Sequence, residues 1–371
     1  MSSVLFSPIQ LGALRLANRI VVSPMCQYSA DQGCASDWHI VHLGQMAQSG
    51  AGLVLIEATA VEDIGRISPG CLGLYSDANE RALARVLEAV RKAGDAPIGV
   101  QLSHSGRKGS SAAPWDGGAL LDLAHGGWNT VAPSALPHAD GERAPAEIDS
   151  AGLARIREAF VDSARRAARL GLQAVELHVA HGYLLHQFLS PLSNCRGDAY
   201  GGSPRNRMRY PLEVFDAMRQ ALPPQVALGV RVSAVDWVDG GLDLEQTAAF
   251  AQELQARGCA WLDVSSGGVS PRQRIAIGPG YQVHLAQALR EAAGMPTMAV
   301  GLITQPQQAE DIVREGRADM VALARAMLWD PRWPWHAAAA LGAKVQAPRP
   351  YWRSEPAEAR GVFVDARVGM R

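Results

Sequence analysis

The sequence predicts a (β/α)8 TIM barrel, an α/β fold in which eight parallel strands alternate with eight helices. Three observations carry that expectation. Eight short runs rich in apolar and β-branched residues recur along the chain, and such brief apolar runs suit strands buried on both faces. Each run precedes a longer stretch with helical periodicity. Polar residues gather just beyond the runs, at the strand ends where barrels carry their chemistry. A doubly wound open sheet is the structural alternative, and eight alternations in one chain fit it less well.

The first run, Ile20–Val22, leads to a helix over about 38–49. The second, Leu53–Ile56, precedes a helix over 77–93. The third, Ile98–Leu102, is separated from its helix at 149–170 by an insertion, about 104–148, rich in Gly, Pro, Ala and Asp. Ala174–Val179 then pairs with a helix at 206–221, and Val226–Val232 with one at 244–257. The last three runs are Trp261–Val264, Met298–Val300 and Met320–Leu323, with helices at 281–292, 305–316 and 332–341. Asp243 and Thr304 stand where N-caps belong, and Gly50, Gly94, Gly171, Gly258, Gly294 and Gly316 where helices stop. A barrel of ~250 residues leaves roughly 120 for an N-terminal segment, the insertion and a tail over about 343–371. No linker, repeat or low-complexity tract interrupts residues 1–371. A single domain is expected.

Composition narrows the function. Hydrophobic residues make up 48% of the chain and charged residues 19%, which supports a large core and excludes disorder. Lys and Arg number 35 against 36 Asp and Glu, with no basic block to mark a nucleic-acid or anionic-membrane surface. Five scattered cysteines without C-x-x-C spacing argue against a disulfide framework and against a cysteine zinc or iron–sulfur site. Met1–Ile20 lacks the pattern of a signal peptide, and no run approaches the ~18 apolar residues of a membrane span. A cytoplasmic protein is expected.

Eight strand ends are expected to converge on one mouth. They bring Ser23 to Tyr28, Glu57-Ala58-Thr59, Gln101 to His104, His178 to Tyr183, Arg231, Ser265 to Gly268, Gly301 and Arg325. His178 and His181, three apart, fit metal ligands, structural loop histidines, or two donors to one substrate oxygen. Arg231 lies inside an apolar strand, so it requires a partner or a polar ligand. Gly301 and Arg325 occupy the strand-seven and strand-eight positions where many barrels bind phosphate. Neither a G-x-G-x-x-G turn after the early strands nor a Walker A motif is present. Cys34, Cys71, Cys195 and Cys259 read as small buried hydrophobes.

The stretch from His178 to Arg207, HVAHGYLLHQFLSPLSNCRGDAYGGSPRNR, closely resembles the signature of the old yellow enzyme family of flavin-dependent ene-reductases. The likeness extends from Asn18-Arg19 to Tyr351-Trp352-Arg353. Pro24-Met25-Cys26-Gln27-Tyr28 resembles the bacterial xenobiotic-reductase and thermophilic-type subgroup. The resemblance implies noncovalent FMN held by Pro24, Met25, Cys26, Ala58, Gln101, Arg231, Gly301, Ala324 and Arg325. It implies NADPH, in preference to NADH, as reductant, and enones, maleimides or nitroalkenes as acceptors in a ping-pong cycle. His178 and His181 would donate to the acceptor oxygen, Tyr183 would protonate Cα, and Tyr28 would line the substrate pocket. Cys26 would tune the flavin. By the same resemblance the protein is a homodimer, with Arg353 and Trp352 of the tail reaching a substrate pocket, the arginine across the interface. One departure is the stretch Ala299-Val300-Gly301-Leu302-Ile303, which lacks the tryptophan some relatives carry there.

Overall fold

The computed structural model describes residues 2–367 and 369. Eight parallel strands close into a barrel: β1 Ile20–Val22, β2 Leu53–Ala60, β3 Ile98–Ser103, β4 Ala174–Val179, β5 Ala227–Ser233, β6 Leu262–Ser265, β7 Thr297–Ala299 and β8 Met320–Leu323. Closure is made by β8 on β1, with Val321 opposite Ile20 and Leu323 opposite Val22. The surrounding helices are α1 Asp37–Ala47, α2 Asp77–Ala93, α3 Ser150–Arg169, α4 Pro204–Ala221, α5 Leu244–Ala256, α6 Val283–Ala293, α7 Pro306–Arg314 and α8 Trp333–Ala340. Two short helices, Leu184–Leu189 and Arg325–Trp329, follow β4 and β8. The fold class read from the sequence is the one observed.

Local boundaries depart from expectation for identifiable reasons. Asp243 caps α5 by accepting the Gln246 N–H, as a helix N-terminus requires. Thr304 does not cap α7. Its N-cap is Gln305, and Pro306 at the first helical position sets the φ that starts the helix. Strand β2 runs four residues beyond its apolar core because its polar end stays in the ladder with β3. The register shifts between Ile56 and Ala58, which leaves Glu57 as a bulge. Ala58 thereby sits opposite Gln101 inside the barrel, and Glu57 turns out toward His39 of α1, 3.2 Å away.

The hairpin of strands Ile9–Leu11 and Leu14–Leu16, absent from the sequence reading, closes the floor. Its Leu11, Leu14 and Leu16 join Val21, Leu53, Leu55, Trp261, Met298 and Met320 in an apolar cluster. Trp261 is fully buried and fills the space over Gly229, where a Cβ would come within 2.0 Å of the indole. The N-terminus is fastened to α7, with Glu310 accepting the Val4 and Leu5 N–H groups at 2.9 and 3.0 Å. No helix among the described residues is long and apolar enough to cross a membrane.

Candidate active site

Above the apolar floor the barrel interior turns polar. Strand pairing sets Gln101 beside Glu176, and Arg231 between His178 and Asp263. Glu176 accepts from Gln101 Nε2 at 2.9 Å and from Trp261 Nε1 at 3.0 Å. Burial pushes its carboxyl up to about 8, with Asp263 adding to the rise and Arg231 opposing it. Arg231 Nε lies 3.3 Å from Asp263 Oδ2 without hydrogen-bond alignment, so the buried guanidinium is incompletely partnered. Of the partner or polar ligand that the sequence required for this arginine, Asp263 is the partner, though a loosely aligned one.

The mouth lies one step higher. His178 is buried, and its Nδ1 accepts the Ala180 N–H at 3.2 Å. His181 stands with its ring 5.1 Å from that of His178 and nearly perpendicular to it. Its Nε2 contacts Ser265 Oγ at 2.8 Å, and its own N–H donates to Ser233 Oγ at 2.9 Å. Burial first, then the charge of Arg231, holds both imidazoles well below their usual range. They are neutral at pH 7. The Tyr183 ring packs edge-on to His178 at 5.0 Å, and burial keeps its phenol protonated.

His181 takes a left-handed φ of 59°, and its turn interlocks with the turn after β6. A Cβ on Gly182 would meet Gly268 O at 2.1 Å, so a side chain there is excluded. Lys108 binds the two turns together, donating to His181 O at 2.8 Å and Gly268 O at 2.9 Å. Burial lowers its ammonium to about 8.

Pro24, Met25, Cys26 and Tyr28 follow β1 as half-buried residues. The loop is fixed from below, because the Gln27 N–H donates to Glu57 Oε2 at 3.0 Å. Tyr28 meets Trp115 of the insertion edge-on at 5.3 Å. Cys71 and Cys259 are buried as read from the sequence, whereas Cys195 is exposed and Cys34 half-buried. The neighbouring Cys71 thiol and burial raise the Cys26 thiol. On the opposite side, Gly301, Ala324 and Arg325 line a cavity of about 190 Å³ with Ser23, Arg231 and Gln282. Gly301 has φ 113°, and a Cβ there would stand 2.9 Å from Gln282 Nε2. Trp352 is elsewhere. Its Nε1 donates to Ala347 O at 3.1 Å, and its ring joins a satellite cluster with Trp335, Val345 and Phe363. It does not wall the pocket of its own chain, and Arg353 is exposed.

Residues 4–343 match the NADH:flavin oxidoreductase / NADH oxidase family. The chain belongs to that family. This flavin oxidoreductase is 43% identical over 355 residues to an NADPH dehydrogenase of Geobacillus thermodenitrificans, covering 95% of this chain and 99% of the relative. An NADPH dehydrogenase of Listeria innocua is 40% identical, with the same coverage of both chains. Morphinone reductase in complex with tetrahydroNAD superposes with a TM-score of 0.75 at 28% identity, over 98% of this chain and 94% of that one. A 2-naphthoyl-CoA reductase gives 0.81 at 26% identity, over 92% of this chain but 52% of its own. The protein is an FMN-dependent NADPH oxidoreductase of the old yellow enzyme type.

The residues of the flavin oxidoreductase fit FMN. The glycine cradle at Gly301 and the exposed guanidinium of Arg325 suit a phosphate, and the incompletely paired Arg231 suits the electron-rich ring edge. Among the described residues, no three His, Cys, Asp or Glu are gathered to hold a metal ion. Ser265 was expected at the mouth from its strand end, whereas sequence reasoning missed Lys108 and Cys71 as parts of it. Lys108 had one signal, a cation three residues beyond Ser105 in the loop after β3.

Proposed function

We propose that this oxidoreductase reduces the activated C=C bond of α,β-unsaturated carbonyl or nitro compounds, taking NADPH and acceptor in turn at one mouth. When bound, FMN supplies the hydride relay between the two. The ring would be held by Pro24, Met25, Cys26, Ala58, Gln101 and Arg231, and the phosphate by Gly301, Ala324 and Arg325.

The observation that carries this reading is the state of the two histidines. With Nδ1 of His178 accepting a backbone N–H, the neutral ring carries its proton on Nε2. In His181 we assign the Ser265 hydroxyl as donor to Nε2, the shorter of its two contacts, which leaves Nδ1–H as the second donor. Two fixed, neutral N–H groups suit an oxygen on which negative charge develops, and such donors are typically worth about 3–4 kcal/mol of barrier. Tyr183, protonated and beside His178, holds the proton that Cα of the acceptor needs. Tyr28 lines the far side, with Trp115 behind it.

We also infer a homodimer. Trp38 and Val41 of α1, at 52% and 54% exposure, and Leu328 and Trp329, at 49% and 92%, lie on elements that follow the paired strands β1 and β8. So much apolar surface favours a protein partner, and Arg353 would then enter the neighbour's site, with Trp352 beside it.

The test is anaerobic. NADPH should bleach the yellow holoenzyme, and cyclohexenone or a maleimide should restore the colour. Bleaching without recovery by any enone or nitroalkene would reject the acceptor class.

A further inference from the structure

A second cavity, of about 290 Å³, opens between the insertion and the loop after β6, walled by residues 136–140 and 270–272 and by Arg107 and Leu192. Arg107 is 6% exposed, yet its guanidinium meets only carbonyls: Leu136 at 3.3 Å, Pro137 at 3.2 Å and Val269 at 2.8 Å. Its Nε has no partner. The nearest carboxylates are engaged elsewhere, Asp236 by His186 and Ser190 at 2.9 and 2.6 Å, and Glu142 by the Ala139 N–H at 3.1 Å. Lys108, next in sequence, is likewise bound to carbonyls alone.

Arg107 and Lys108 are adjacent cations with no bonded acid, and the charges of Glu142 and Asp236 offset them only from a distance. His138 registers their charge, lowered to about 4 by burial, Lys108 and Arg107, and its buried Nδ1 lacks a partner. Arg272 stands exposed at the rim and makes no ion pair among the described residues, while Asp140 is the acidic side chain on the wall. The cavity is therefore built for an anion. It also neighbours the mouth, because Arg272 is four residues from Gly268, whose carbonyl shares the Lys108 ammonium with His181 O. Four residues span at most about 14 Å, a reach that a dinucleotide covers.

We propose that this cavity receives the 2′-phosphate of NADPH, gripped by Arg272 at the rim and drawn by Arg107 and His138 behind it, while the nicotinamide occupies the mouth. The inference rests on NADPH being the reductant. A phosphate offers several acceptor oxygens to a guanidinium fork, which is the match that two arginines provide. The pyrophosphate has the same chemistry but is common to NADH, so the two reductants separate the sources.

Stopped-flow reduction of the holoenzyme by NADPH and by NADH tests the assignment, with Arg272→Ala and Arg272→Ala/His138→Ala beside the parent. The apparent Kd for NADPH should rise tenfold or more in Arg272→Ala, with that for NADH unchanged. Adenosine 2′,5′-bisphosphate should compete with NADPH for the parent and lose that competition in the variant. Equal weakening of both reductants would overturn the 2′-phosphate in favour of the pyrophosphate. An unchanged Kd for NADPH in both variants would overturn the site while leaving the reductant intact. A parent flavin that NADPH does not reduce would instead overturn the reading beneath it.

Discussion

His178 receives the Ala180 N–H on Nδ1, and burial keeps the ring neutral, so one fixed N–H is all it can present. Replacing His178 or His181 by Ala should slow enone-driven reoxidation of the reduced flavin by about 10²–10³, as loss of an oxyanion donor does. Stopped-flow traces of pre-reduced variants check this. Because both imidazole pKa values fall, protons are lost below the ordinary value, and reoxidation should show no acid limb near pH 6.5. A limb at that pH would show that the rings titrate in the working range. Tyr183→Phe should slow reoxidation while sparing reduction by NADPH, and equal loss in both halves would remove the phenol from its acid role. The histidine pair and Arg231 were legible in the sequence because polar groups at strand ends stand out against apolar runs. Lys108 and Cys71 were not, since each reaches the mouth through loop packing that no local pattern encodes.

The bulge in β2 links secondary structure to the site. Without the extra residue at Glu57, alternation would turn that carboxylate into the barrel and Ala58 away from it. With it, Glu57 bridges His39 and the Gln27 N–H, and so supports the loop carrying Cys26. Glu57→Ala should cost about 3–5 kcal/mol, since it strands a buried partner, and urea unfolding measures the loss. Gly229→Ala should also destabilise, by ~1–3 kcal/mol or more, because the new methyl collides with Trp261. That collision would disturb the Trp261–Glu176 hydrogen bond as well. The Glu176 carboxyl has its folded value near 8 against an ordinary 4.5, so the fold holds a proton that the unfolded chain releases between those values. Stability should therefore fall as pH rises through that window, and Glu176→Gln should flatten the dependence of the urea midpoint between pH 5 and 8. The strands and most helices were legible from periodicity. The bulge was not, because an apolar run ending in Glu-Ala-Thr resembles a strand that has simply stopped.

At the scale of the molecule, the barrel is closed below by the hairpin and open above, and under the proposed function cofactor, reductant and acceptor would share the upper entrance. If Arg353 completes a neighbour's site, an Arg353→Ala subunit mixed with a His178→Ala/His181→Ala subunit should regain activity. Each heterodimer then holds one intact site and one doubly damaged site. Verified heterodimers without recovery would refute the shared-site arrangement. The hairpin escaped the sequence reading because three-residue strands lie below what periodicity resolves. Closure of the barrel has a further consequence, in time. Val21 in β1 pairs with Ala322, and the Ser23 N–H donates to Leu323 O at 3.0 Å. During synthesis β1 is made early, yet one of its two edges has no partner until some 300 further residues have emerged. At roughly 5–20 residues per second that wait lasts about 15–60 s. For most of a translation cycle the growing chain exposes an apolar strand edge of the kind that invites aggregation, so its yield should depend on whatever shields nascent chains.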